Sequence, residues 1–207
     1  MNFSDWLLAL EAYPKIHNPK LVILLGGPAV GKSYVANLFV KYGYRTAILD
    51  QYFEAMMRKI QGQDKVNVSI KDPLQKQKYV QAAIKNDERI DYYIKNGYPI
   101  VTEKTGQNFG TIAQLKRISE AGGYTCFAIY DQTDVELAVN RNKNRPKRSL
   151  SDEEELRNTH AQVASNMFPN NKGAGLSSLF GDHFYVVNGD GTNNQQIMKV
   201  VEEINEI

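Results

Sequence analysis

Residues 21–33 read Leu-Val-Ile-Leu-Leu-Gly-Gly-Pro-Ala-Val-Gly-Lys-Ser. An apolar run closes on Gly-x-x-x-x-Gly-Lys-Ser, and a helix-compatible stretch follows at 34–41. Strand, glycine-bounded loop and helix, in that order, make a phosphate-binding P-loop. Gly26 and Gly31 permit backbone conformations that a side chain forbids. The segment Gly26, Gly27, Pro28, Ala29, Val30, Gly31, Lys32 and Ser33 can therefore wrap around phosphate oxygens. Lys32 sets an ammonium against the β and γ phosphates, and Ser33 offers a hydroxyl to Mg²⁺. The N-terminus of the following helix adds partial positive charge. A glycine-rich turn that merely joins strand to helix is the competing reading; the full pattern and its flanks favour nucleotide binding.

Bulk properties narrow the class. At 207 residues the chain fits a single domain, 1–207, with a substantial core. No apolar run approaches the ~20 residues that span a bilayer. The start, Met1-Asn2-Phe3-Ser4-Asp5-Trp6, lacks the basic residues and cleavage pattern of a secretory signal. Cys126 is the only cysteine and lies in an apolar strand pattern, as a small buried hydrophobe. An intramolecular disulfide is impossible, which fits a cytoplasmic location. His17, His160 and His183 are scattered without metal-ligand spacing, so no zinc is expected.

The net charge of +2 does not announce nucleic-acid binding. The local distribution says more. Arg141, Lys143, Arg145, Lys147 and Arg148 crowd together, and Asp152-Glu153-Glu154-Glu155 follow. Ser151 as a helix cap, with acids in the first turn, accounts for the acidic run. It leaves the basic run to be explained.

Strand patterns fall at 21–25, 45–49, 100–103, 124–130 and 184–187. They are near-continuous apolar runs, as in parallel strands covered on both faces. Helical patterns fall at 33–41, 52–59, 74–95, 112–121, 135–143, 153–167 and 195–206, with a short amphipathic helix at 3–12. The alternation predicts an α/β fold, a doubly wound five-stranded parallel sheet of the P-loop NTPase type. Ligands of such sheets bind beyond the carboxyl ends of the strands.

That rule selects the next residues. Asp50 follows the second strand, where it can accept the proton of an attacking hydroxyl, hold Mg²⁺, or simply cap a helix. Glu103 closes the third strand, at the place of an acid near Mg²⁺ or its waters, and its length also lets it reach substrate. A salt bridge to Lys104 or Lys32 is the plainer alternative. Arg141 and Arg145 are spaced to share a helix face, with Pro146 breaking the helix and Lys147-Arg148 continuing in a mobile segment. An arginine-bearing lid over about 141–150 would neutralise charge on a transferring phosphoryl group. Arg148 is placed with the substrate. Contact with a nucleic-acid backbone and plain surface solvation are the competing readings. Residues 173–178 read as a connection, and 187–191 as a turn able to pack against an adenine.

These residues resemble the small P-loop kinases that include polynucleotide kinases and zeta-toxin sugar-nucleotide kinases. The resemblance runs from Leu21 to about Gly191. It rests on the P-loop, Asp50, Asn96-Gly97-Tyr98-Pro99-Ile100-Val101-Thr102-Glu103-Lys104-Thr105 and Arg141-x-x-x-Arg145. It implies a nucleoside-monophosphate-kinase-like fold, ATP and Mg²⁺, Asp50 as general base, Lys32 and Ser33 as phosphate and metal ligands, and Arg141 and Arg145 as lid arginines. The polynucleotide-kinase branch, with phage kinases of 5-hydroxymethyluracil in DNA, implies a nucleic-acid hydroxyl as acceptor, and the basic stretch leans that way. The zeta-toxin branch implies UDP-N-acetylglucosamine. A switch ATPase without an acceptor is the alternative of another class.

Overall fold

The computed structural model describes residues 18–62, 66–69, 71–146, 148–150, 152–168, 175–190 and 194–207. In chain order the first elements are β1 (Lys20–Leu25), α1 (Lys32–Lys41), β2 (Arg45–Ala47), α2 (Leu49–Gln61), β3 (Val66–Val68), α3 (Pro73–Asn96), β4 (Ile100–Lys104) and α4 (Phe109–Ala121). Then come β5 (Thr125–Gln132), α5 (Val135–Lys143), β6 (Arg148–Leu150), α6 (Glu153–Met167), α7 (Leu176–Phe180), a 3₁₀ turn (Gly181–His183), β7 (Phe184–Asn188) and α8 (Asn194–Glu206). Five strands form one sheet in the order β2-β4-β1-β5-β7, every pair parallel. Helices cover both faces, as the sequence predicts.

The pleat explains how. Leu21, Ile23 and Leu25 of β1 join a core with Ile90 and Tyr93 of α3, Ile112 of α4 and Met167 of α6. Val22 and Leu24 point the other way, against Val35 and Phe39 of α1 and Val201 and Ile204 of α8. β1 is the central strand and is buried on both faces, which is why its sequence does not alternate. Each fully buried Leu or Ile contributes about 1.5–3 kcal/mol. Cys126 is buried in the first of these cores, where it packs as a small hydrophobe, and burial pushes its thiol pKa up to about 12. Among the described residues no helix is long and apolar enough to cross a membrane.

The long helix α3 shows local signals agreeing with the fold. Asp72 Oδ1 accepts hydrogen bonds from the N–H groups of Leu74 and Gln75 at 2.9 and 3.2 Å, Pro73 opens the first turn, and Gly97 closes the helix in the left-handed conformation (φ 67°).

Several expectations are corrected. β2 ends at Ala47, and Asp50 lies in the first turn of α2, whose cap position is Ile48. Asp50 is therefore not a helix cap. Thr102, fully buried, donates to the Ala47 carbonyl at 2.7 Å and pins the end of β2. β3 and β6 pair in parallel as a separate two-stranded ribbon, with Val66 opposite Arg148 and Val68 opposite Leu150. The main chain at Arg148 is thus held in a strand and does not continue a mobile segment. Helix α5 ends at Lys143, so Arg145 lies beyond it and the shared helix face with Arg141 does not form. Asp152 caps α6 through its side chain. Leu176-Ser177-Ser178 open the short helix α7 rather than continuing a connection. The expected helix at 3–12, the cap at Ser151, and residues Lys147, Gly173 and Gly191 lie outside the described residues, as does the side chain of Arg148.

Candidate active site

The P-loop leaves β1 and enters α1 through three residues of positive φ: Gly26 at 144°, Ala29 at 65° and Gly31 at 129°. The first and last of these values exclude other residues in practice. At Ala29 an L-residue takes a left-handed turn, the kind of local strain that persists where surrounding structure imposes it. Lys32 opens α1 and its ammonium folds back over the loop, donating to the carbonyls of Gly26 and Gly27 at 2.8 and 2.7 Å. Burial lowers its pKa, and the carboxylates of Glu103, Asp50 and Asp131 act in the opposite direction. The ammonium thus stands where phosphate oxygens would replace two carbonyls as its partners.

Ser33 Oγ donates to Glu103 Oε1 at 3.0 Å, which ties α1 to the end of β4. Pairing in the sheet sets this contact: Leu24 of β1 lies opposite Glu103, two residues before the loop begins. Asp50 approaches from α2. Lys32, Ser33, Asp50, Glu103 and Arg145 line one cleft of about 710 Å³. The Ser33 hydroxyl and the carboxylates of Asp50 and Glu103 form a set of hard oxygen donors, which fits Mg²⁺. The far wall of the cleft comes from α3 and the start of α4, with Gln75, Tyr79, Asp87 and Asn108 facing the space.

Arg141 and Arg145 part company. Arg145 lines the cleft close enough to lower the Lys32 pKa further. Arg141 lies behind the P-loop, where its Nη1 donates to the carbonyls of Val30, at 2.9 Å, and Gly189. It joins the P-loop to the turn after β7.

Two functional neighbours of the loop escape sequence reasoning. His160, on α6, donates from Nε2 to the Pro28 carbonyl at 2.9 Å. Its ring lies over Gly27, so close that a Cβ there would sit 2.5 Å from Nε2. Asn166 of the same helix donates to the carbonyls of Gly106 and Gln107 at 3.1 and 2.9 Å. α6 therefore holds both the P-loop and the loop after β4. No spacing in the sequence marks His160, because its partner is a backbone carbonyl 132 positions away.

Asp131, near the end of β5, is the second. It is 3 % exposed; Thr133 Oγ1 donates to its Oδ1 at 3.1 Å, and its Oδ2 has no hydrogen-bond partner. The strand-end rule that found Asp50 and Glu103 points here too, since Asp131 directly follows the predicted strand 124–130. Burial raises its pKa from 3.8 to about 6, against the Thr133 bond and the charges of Lys32 and Arg141. The folded state thus holds a proton that the unfolded chain releases between about pH 4 and 6. Stability from this group is present below that window and falls as pH rises through it. Asp131→Asn keeps the shape and removes the ionisation. Chemical unfolding at pH 4 and pH 7 should show the variant gaining on the parent by up to about 3 kcal/mol across that interval. A stability difference that does not change with pH would contradict the protonated state.

The family model described as Zeta toxin matches residues 4–174. No curated protein sequence matches the chain significantly. A candidate kinase from Chloroflexus aurantiacus superposes with a TM-score of 0.61 at 13% identity, covering 92% of this chain and 96% of that one. A structure from the PezAT chromosomal toxin-antitoxin system of Streptococcus pneumoniae superposes with a TM-score of 0.55 at 13% identity, covering 100% and 97%. A gluconokinase from Sinorhizobium meliloti gives 0.54 at 14% identity, covering 92% and 96%. At these identities the structures share the fold, that of small P-loop kinases.

Proposed function

The chain belongs to the zeta toxin family of P-loop kinases, and from that premise we propose that it transfers the γ-phosphoryl group of ATP to a hydroxyl of a sugar nucleotide. The observation that carries the reading is one cleft that joins the P-loop to Asp50 and continues to a second wall with room for an acceptor. Lys32 and the loop N–H groups hold the β and γ phosphates. Ser33 and Glu103 would hold Mg²⁺, directly or through its waters, and the ion when bound neutralises charge on the phosphate oxygens. Asp50 takes the proton of the acceptor hydroxyl. The hydroxyl oxygen forms a bond to the γ phosphorus as the bond to the β–γ bridging oxygen breaks, and ADP leaves with that electron pair. Arg145 stabilises the charge on the transferring group.

The acceptor is chosen against the nucleic-acid hydroxyl that the basic stretch suggests. The comparisons give nucleic acid, and with it phage DNA modification, no support; the zeta toxin match favours the sugar-nucleotide alternative. The described side chains of the stretch do not form one basic face. Arg141 is engaged behind the P-loop, Lys143 pairs with Glu153 at 2.8 Å, and Arg145 turns into the cleft.

The test is transfer of γ-labelled phosphate from ATP to UDP-N-acetylglucosamine, a 5′-hydroxyl oligonucleotide, and closed circular DNA carrying hydroxymethyluracil. Label is expected in the sugar nucleotide alone. Label in either DNA would overturn the acceptor. ATP hydrolysis that no acceptor changes would replace the kinase with a switch ATPase.

A further inference from the structure

The pleat of β4 sends its last two residues to opposite faces of the sheet. Glu103 follows Val101 toward α1, where it meets Ser33. Lys104 follows Ile100 and Thr102 toward α3 and lines the far half of the cleft. Its Nζ faces Asp87 Oδ1 at 3.9 Å, beyond hydrogen-bond reach. The Lys104 side chain is only 19% exposed, whereas that of Asp87 is 68% exposed. The stem is largely covered, and a long pair with a solvated carboxylate holds the ammonium only weakly. Such a charge at the wall of a substrate cleft is poised for an anion that brings closer oxygens.

We propose that Lys104 is an acceptor-binding residue that selects acceptors carrying a phosphate group, and that it holds that group so the acceptor hydroxyl is presented to Asp50. The proposal rests on the kinase reading above. Asp87 is the carboxylate that the ammonium faces, and on binding a phosphate oxygen displaces it as the nearer partner. Lysine suits this role as a compact charge with three rotatable donors, which accepts a phosphate in several orientations. Asn108, on the same wall, supplies a neutral polar contact for the sugar hydroxyls.

The test is titration calorimetry on the full chain, with the P-loop saturated by AMP-PNP and Mg²⁺ so that added nucleotide reports only the acceptor half. The probes are UDP-N-acetylglucosamine, glucose 6-phosphate and neutral N-acetylglucosamine. The parent should bind a phosphate-bearing probe more tightly than the neutral sugar. Lys104→Met should weaken that probe by about 10-fold or more and erase the preference, while Lys104→Arg should retain most of it. AMP-PNP affinity of each variant reports whether fold and P-loop survive. Equal affinity of parent and Lys104→Met for the phosphate-bearing probe would overturn the proposal while leaving the kinase reading intact. Lys104-dependent binding of glucose 6-phosphate, with none of the sugar nucleotide, would uphold it and overturn the sugar-nucleotide acceptor. Binding of neither phosphate-bearing probe would overturn both.

Discussion

Lys32→Ala is expected to abolish ATP-dependent phosphoryl transfer, lowering turnover by about 10²–10³-fold or more, and to remove most ATP binding with it. The reason is in the geometry of the loop. The ammonium is held at the carbonyls of Gly26 and Gly27, inside the curve of the loop, and it is the positive charge at the meeting point of Glu103, Asp50 and Asp131. Without it those carboxylates confront the incoming phosphates unscreened, so binding and chemistry fail together. The fold should survive, because burial already disfavours this charge. Thermal unfolding separates the two effects. A ligand at ~100 times its Kd stabilises the parent by about 2.7 kcal/mol. The variant should unfold cooperatively without ligand and lose that increment. Retention of the ATP-induced shift would mean that the backbone alone binds the phosphates.

Asp50→Asn is expected to separate binding from turnover. The amide matches the carboxylate in size and keeps its place in the first turn of α2, but it cannot accept the hydroxyl proton. General-base assistance is worth ~10²–10⁴-fold, so turnover should fall by that factor while the ATP-induced stabilisation stays near the parent value. Mg²⁺ titrations decide the remaining role. Loss of Mg²⁺-ATP affinity in step with turnover would make Asp50 chiefly a metal ligand. Near-parent turnover would falsify its place in the chemistry.

The site divides by how each residue is specified. The P-loop is legible because its signal is local: backbone conformation at Gly26 and Gly31, a lysine and a serine one after the other, an apolar strand before and a helix after. Glu103 is legible because a strand end in a parallel sheet marks the ligand edge, and its contact with Ser33 follows from the pairing of β4 with β1. Asp50 is found by the same rule although its strand is shorter than its pattern, because the chain turns into α2 at the same edge. The arginines show the limit. Their spacing of four implies a shared helix face, but α5 stops at Lys143, and one goes behind the loop while the other enters the cleft.

By itself the sequence determined the phosphate-binding loop, the alternation of parallel strands and covering helices, and the acids at the strand ends. Each rests on residues near one another in the chain, where propensity, capping and periodicity act directly. The tertiary structure alone decided the β3–β6 ribbon, the seat of His160 on the P-loop, the burial of the Asp131 carboxyl and the turn of Lys104 toward α3. Three-residue strands are too short to show a period, and Val66 pairs with Arg148 from the far side of three intervening helices and two strands of the sheet. A histidine bound to a backbone carbonyl leaves no mark on its partner's residue type, and burial of a charge is a property of everything folded around it.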